Sequence, residues 1–160
     1  MQFTQSVSYP GTVDEVVAMY LTPAYLERRF GQFVVEGSQA VSVEGERVSF
    51  AGTVRPELIP AAAARFVKSD LRISFTEEWA TNEAGATSRT SVTVDGAPVS
   101  VEATSTLAPA EAGSVRDVTG NVSVHVPLLG GRIEKEAVAH LGRVVESEQA
   151  LAAQWLEEHR

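Results

Sequence analysis

The chain contains no cysteine. Disulfides, thiol nucleophiles and Cys-ligated zinc are therefore excluded. Positive charge is scarce: 13 Lys and Arg stand against 21 Asp and Glu, a net charge of −8. The only lysines are Lys68 and Lys135. An acidic surface repels phosphate, which argues against a nucleic-acid partner and against docking on anionic membranes. No apolar run approaches the roughly 20 residues that span a bilayer, so no membrane insertion is expected. The opening MQFTQSVSYP lacks the basic flank and apolar centre of a signal peptide, and the expected location is cytoplasmic. No Gly-x-Ser-x-Gly elbow occurs. His125, His140 and His159 lack ligand spacing such as i, i+4. Neither a metal nor a cofactor is expected. There is no linker, repeat or low-complexity tract, and 160 residues with 44% hydrophobic content fit a single domain over 1–160.

What the chain does contain is a switch of hydrophobic period. Residues 2–9 alternate, with Phe3, Gln5, Val7 and Tyr9 on one face, and predict a half-buried strand. Pro10-Gly11 ends it. Thr12 and Glu15 form a capping-box pattern ahead of a helix over 13–21 that buries Val13, Val16, Val17 and Tyr20. Pro23 opens a second short helix, 23–30, carrying Tyr25, Leu26 and Phe30. The period then becomes two. Strands are expected over 33–43 (Phe33, Val35, Val41 and Val43 on one face), 47–55 (Val48, Phe50, Val54), 70–80, 87–95, 99–108 and 115–126. Gly52 marks a bulge or a close contact. Residues 55–70, with two prolines and an alanine run, predict a loop with a short helix near 61–67, of the kind that often serves as a binding lid.

After Gly130-Gly131, read as a tight turn, the period becomes helical to the end of the chain. Ile133, Ala137, Leu141, Val144, Leu151 and Trp155 form one apolar stripe; Lys135, Arg143, Glu146 and Glu157 lie opposite. Glu148 sits within the stripe, where a carboxylate must be paired, protonated or facing a polar space. Six consecutive strands with short turns predict an antiparallel meander, and the terminal helix is the one element long enough to cover it. Small residues at expected inner positions (Gly37, Gly52, Ala103, Gly120, Ala137) leave room for a cavity between the two layers.

The order of elements, the capped helix pair and the segment VPLLGGRIEKEAVAHL before the long helix resemble the START-like (SRPBCC) superfamily, which includes polyketide cyclases, birch-pollen-allergen-like proteins and lipid-transfer domains. ELIPAAAARFV followed by ISFTEEW is similar to a bacterial branch of it. The resemblance spans essentially the whole chain. It implies an α+β helix-grip fold: a curved seven-stranded antiparallel sheet wrapped around a long C-terminal helix, two short helices between strands 1 and 2, and an apolar cavity between sheet and helix.

On that frame the candidate ligand-binding residues are Phe50, Leu58, Phe66, Phe75, Glu77, Trp79, Ala137, Leu141, Val144, Glu148 and Trp155. Glu77 alternates with Phe75 and Trp79 and should face inward, and Arg89, expected roughly opposite Trp79, should neutralise Glu77 or stack on Trp79. Val118, Val122, Val124 and Val126 should point inward; Arg116, Asp117, Thr119, Asn121 and His125 mostly outward or on the edge. Three functions stay open. The first is a carrier of a small apolar or amphipathic molecule such as a lipid, isoprenoid or polyketide. The second is a cyclase- or hydratase-like enzyme with Glu77 or Glu148 as general acid or base, two carboxylates in one apolar pocket raising each other's pKa. The third is an interaction module using the outer face of the sheet or the acidic helix.

Overall fold

Strand β1 (Gln2–Tyr9) keeps its alternation: Val7 and Tyr9 are buried, while Ser6 and Ser8 are exposed. The computed structural model describes every residue except Pro60, Phe66 and Lys68, and the side chain of Ala62 is likewise left out. Helix α1 (Val13–Tyr20) opens on a complete capping box, in which Thr12 Oγ1 accepts from the Glu15 N–H and the Glu15 carboxylate accepts from the Thr12 N–H. Helix α2 (Pro23–Phe30) starts with proline at a position where the missing N–H has no intrahelical partner to lose. There follow β2 (Ala40–Glu44), β3 (Arg47–Thr53), α3 (Ala61–Ala64), β4 (Arg72–Asn82), β5 (Gly85–Asp95), β6 (Val99–Ala110), β7 (Gly113–Val124) and α4 (Gly130–Glu158).

The seven strands form one open antiparallel sheet in the order β1-β7-β6-β5-β4-β3-β2. Strands β2 to β7 are a meander, and β1 returns to pair with β7. Helix α4 packs on β1 and β7 and against α1 and α2. This is the α+β helix-grip arrangement. Edge strand β1 is partly covered by α4, since the Ser8 N–H donates to Gln149 Oε1.

The core divides in two. One cluster joins β1, α1, Tyr25, Trp79 and the last turns of α4 through Ala152, Trp155 and Leu156. The other joins Leu26, Val34, Val48, Phe50 and Phe75, with the Phe30 ring centre 4.8 Å from both phenylalanine ring centres and tilted against each. The earlier turns of α4 sit differently. Ile133, Ala137 and Leu141 are only half-buried, and Val144 is 44% exposed. The far face, with Lys135, Arg143, Glu146 and Glu157, is exposed as expected.

Three expectations are corrected. Residues 33–39 are not strand; Val34 is buried and bridges Val54, while Phe33 and Val35 are largely exposed. The glycines at 130 and 131 are not a turn but the first residues of α4. The reversal falls earlier, at Leu128, which is left-handed (φ 69°). The small inner residues do not simply open a void. Val34 fills the space over Gly52, Phe3 fills the space over Gly120, and Gly37 lies in an exposed turn.

A Cβ on Gly52 would stand 2.8 Å from Val34 Cγ1. Gly52→Ala should therefore cost about 1–3 kcal/mol of stability through overpacking. In a denaturant-unfolding cycle, Val34→Ala should recover part of that loss, giving clearly non-additive values.

Candidate functional site

The alternation of β4 puts Glu77 between Phe75 and Trp79 on the inner face, where it is 1% exposed. Its counter-ion is not Arg89. The register pairs Arg89 with Glu78 and Trp79 with Ser88, one residue away from the expected match, so Arg89 lies on the exposed face. The partner comes from β7: Arg116, 4% exposed, donates from Nη2 to Glu77 Oε2 at 2.8 Å. Arg116 was expected outward or on the edge. Yet it shares strand parity with Val118 and Val122, and that parity is the signal that would have found it.

Each end of the pair is held. Glu77 Oε1 accepts from the Trp79 indole N–H, and Oε2 also accepts from Thr90 Oγ1. Arg116 donates further to Ser88 and Ser105, and its guanidinium lies 4.8 Å from the Trp79 ring centre and 5.0 Å from that of Tyr20. Burial pushes the Glu77 carboxyl up, but Arg116, then Arg29 and the Thr90 hydroxyl more than offset it, leaving the carboxyl below its ordinary range. The expected mutual raising of two carboxylates therefore does not occur at Glu77. Burial would lower Arg116, but Glu77 keeps its pKa well above the usual value.

Glu148 reaches the same centre from α4. Its Oε1 accepts from the Tyr20 hydroxyl at 2.6 Å and pairs with Arg29 Nη2 at 2.8 Å. Burial, then the charge of Glu148, raises the Tyr20 hydroxyl well above its usual pKa, so it stays protonated. Its single proton points to Glu148; the 2.6 Å contact with Tyr9 is therefore donated by Tyr9. The guanidinium of Arg29 is flanked by Tyr20, Phe30 and Phe75 at 4.8–5.3 Å. Arg29 follows Tyr25 by four residues, so the helical period already placed it on the inner face of α2. Sheet and helix thus meet through two carboxylates and two guanidinium groups.

Of two cavities, one adjoins this centre through Arg29 and Glu148 and the other shares no described lining residue with it. A cleft of about 480 Å³ between α2 and α4 is lined by Arg29, Phe30, Phe33, Val144, Glu148 and Leu151, among others. A second hollow, about 220 Å³, lies where the ends of the sheet and the start of α4 meet Leu58, Ile59, Ala63 and Val67. Of the candidate ligand-binding residues, Val144 and Glu148 line the cleft and Leu58 lines the hollow. Phe50 and Phe75 belong to one core cluster, Trp79 and Trp155 to the other. Ala137 and Leu141 are half-buried on α4. Phe66 lies outside the described residues. Among the described residues, no helix is long and apolar enough to cross a membrane.

Removing one member of the Glu77–Arg116 pair strands a buried charge. Glu77→Met or Arg116→Met should each cost about 3–5 kcal/mol, and the two together less than the sum of the two. The folded-state pKa of Glu77 lies below the ordinary 4.5. Its stabilising contribution is therefore complete above that pH and is lost as pH falls toward and through the lowered value. Urea unfolding from pH 6 to pH 3 should show this loss in the wild type and not in the doubly substituted chain.

Comparison with known proteins agrees with this architecture. Uncharacterized proteins of Mycobacterium tuberculosis and Mycobacterium bovis are each 25% identical to the chain, over 96% of it and 95% of their own length. A conserved protein from Geobacillus kaustophilus superposes with a TM-score of 0.63 at 17% identity, covering 99% of this chain and 96% of its own. Norcoclaurine synthase from Thalictrum flavum, solved with dopamine and hydroxybenzaldehyde, superposes with a TM-score of 0.61 at 13% identity, covering 100% and 88%. At these identities the structural likenesses are likenesses of fold, and they are consistent with a START-like fold. The family model described as "Protein of unknown function (DUF2505)" matches residues 4–156, and the chain belongs to that family.

Proposed function

We propose that the protein binds a small hydrophobic or amphipathic molecule between its sheet and α4. One observation carries this reading: every described residue lining the 220 Å³ hollow is apolar. Val94, Val99 and Val124 come from the sheet, Ile133 from α4, and Leu58 and Val67 from the segment before β4. An apolar concavity with few polar groups is the usual form of a small-molecule pocket. The volume falls below the roughly 300–1,000 Å³ of drug-sized sites. That suits a ring, a short chain or an isoprenoid unit better than a two-chain lipid. Leu58, Ile59, Ala63 and Val67 supply part of the wall, so displacement of the segment that carries them would open the hollow; on this reading residues 55–69 gate it. Their backbone amides should then exchange with deuterium much faster than those of β4–β7, and comparable protection would remove the lid.

The enzyme alternative rests on Glu148 rather than Glu77. Both oxygens of Glu77 accept hydrogen bonds and its carboxyl is held ionised, whereas both contacts of Glu148 end on Oε1 and the residue faces the cleft. Unchanged turnover in Glu148→Gln of a compound the protein converts would remove this alternative.

For the carrier, native mass spectrometry of protein purified from its own host should show a small co-purifying apolar molecule. Val99→Phe, which fills the hollow, should abolish that adduct while leaving the fold intact by circular dichroism. An adduct unaffected by the filling would place the ligand elsewhere.

A further inference from the structure

We infer that the cleft between α2 and α4 is a second binding site, for a neutral molecule with an oxygen acceptor on an apolar ring or chain. It shares no described lining residue with the apolar hollow, so it stands whether or not the hollow is filled. Three observations support it.

The first is a buried donor without a partner. Arg29 Nη2 is engaged by Glu148, but Nη1 is shielded from solvent and meets no hydrogen-bond partner among the described residues. A buried guanidinium N–H left unsatisfied is costly, and such groups normally have a partner. The hydroxyl of Tyr25, one turn earlier on the same face of α2, is also buried and has no hydrogen-bond partner among the described residues.

The second is rigidity. The Arg29 guanidinium is fixed by three aromatic rings and by Glu148, so the free limb of its fork has a set direction. A preorganised donor needs little further ordering to bind an acceptor.

The third is the composition of the walls. Phe33 and Val144 are large apolar side chains left 37% and 44% exposed, and both line the cleft, as does Leu151. They provide an apolar surface beside a polar end.

Charge then selects the ligand class. Arg29 and Glu148 already neutralise each other, Arg28, also on the cleft wall, is paired with Glu158, and Glu77 and Arg116 neutralise each other. An added carboxylate would lie beside Glu148 and be repelled. An added cation would compete with Arg29 and leave Nη1 unmet. A ketone, ester, amide or alcohol oxygen meets the free N–H without adding charge.

The test uses a matched pair of probes, 2-acetylnaphthalene and 2-naphthoate, titrated into the full chain by calorimetry. The ketone should bind at least tenfold more tightly than the carboxylate, and its infrared C=O stretch should move to lower frequency on binding. Arg29→Lys, which keeps the charge and loses the fork, should weaken ketone binding five- to tenfold and reverse that infrared shift. Ser147→Trp, an exposed position on the cleft wall outside the ion-pair network, should block binding without changing the thermal midpoint. Val99→Phe should have no effect. Tighter binding of the carboxylate, or ketone binding indifferent to both Arg29→Lys and Ser147→Trp, would overturn the site. Loss of the ketone in Val99→Phe alone would also overturn it, by placing the probe in the hollow and leaving the carrier reading intact.

Discussion

A guanidinium buried in the middle of a β-sheet has to be neutralised where it stands, and much of this structure follows from how Arg116 is met. Four neighbouring strands contribute: Glu77 from β4, Ser88 and Thr90 from β5, Ser105 from β6, and Arg116 itself from β7. Each lies on the inner face only in the observed register. A slip of one residue in any of these strands would turn its contribution to solvent and strand a charge. The pair therefore favours one strand alignment. It also explains why the apolar core is two clusters rather than one, because the polar centre occupies the ground between them.

The same centre fixes the terminal helix. Helix α4 could slide or rotate on an apolar sheet at modest cost. Glu148 holds it through the Tyr20 hydroxyl and Arg29, while Trp155 and Leu156 anchor its last turns. Tyr20 stacks on Trp79, which in turn donates to Glu77, so sheet, short helices and long helix are tied in one chain of contacts. The first turns are tied as well, Glu134 accepting from the Val124 N–H of β7 and pairing with the N-terminal amine, while Ala137 and Leu141 between the two anchors are half-buried. The cleft and the apolar hollow are the spaces that remain on either side.

Much of this was legible in the residues. The capped helix, the proline-led second helix, the meander and the inward Glu77 all follow from short-range rules of period, capping and turn chemistry. The odd carboxylate at 148 in an apolar stripe was a sound signal that something polar lay opposite. The errors came where a long-range partner decided the outcome. Arg116 looked like a surface residue until Glu77, 39 residues away in sequence, gave it a reason to be buried. Arg89 was displaced as the counter-ion by one step of hairpin register, which the turn at Glu83-Ala84 sets and composition does not. Val34 replaced Phe33 and Val35 in the core because the segment docks over Gly52 as an irregular bridge, and no alternation describes that. Glycines over which a neighbour folds look, in sequence, the same as glycines that line a void.

A carrier role requires that a molecule reside in the apolar hollow. Methyl-resolved NMR of Ile-, Leu- and Val-labelled protein, titrated with the neutral apolar probe 1-aminoanthracene, tests this directly. Saturable shifts should concentrate at Leu58, Val94, Val99 and Ile133, with the packed-core methyls of Val48 unmoved. Silence at those four residues, or shifts scattered over exposed methyls such as Val35, would contradict it.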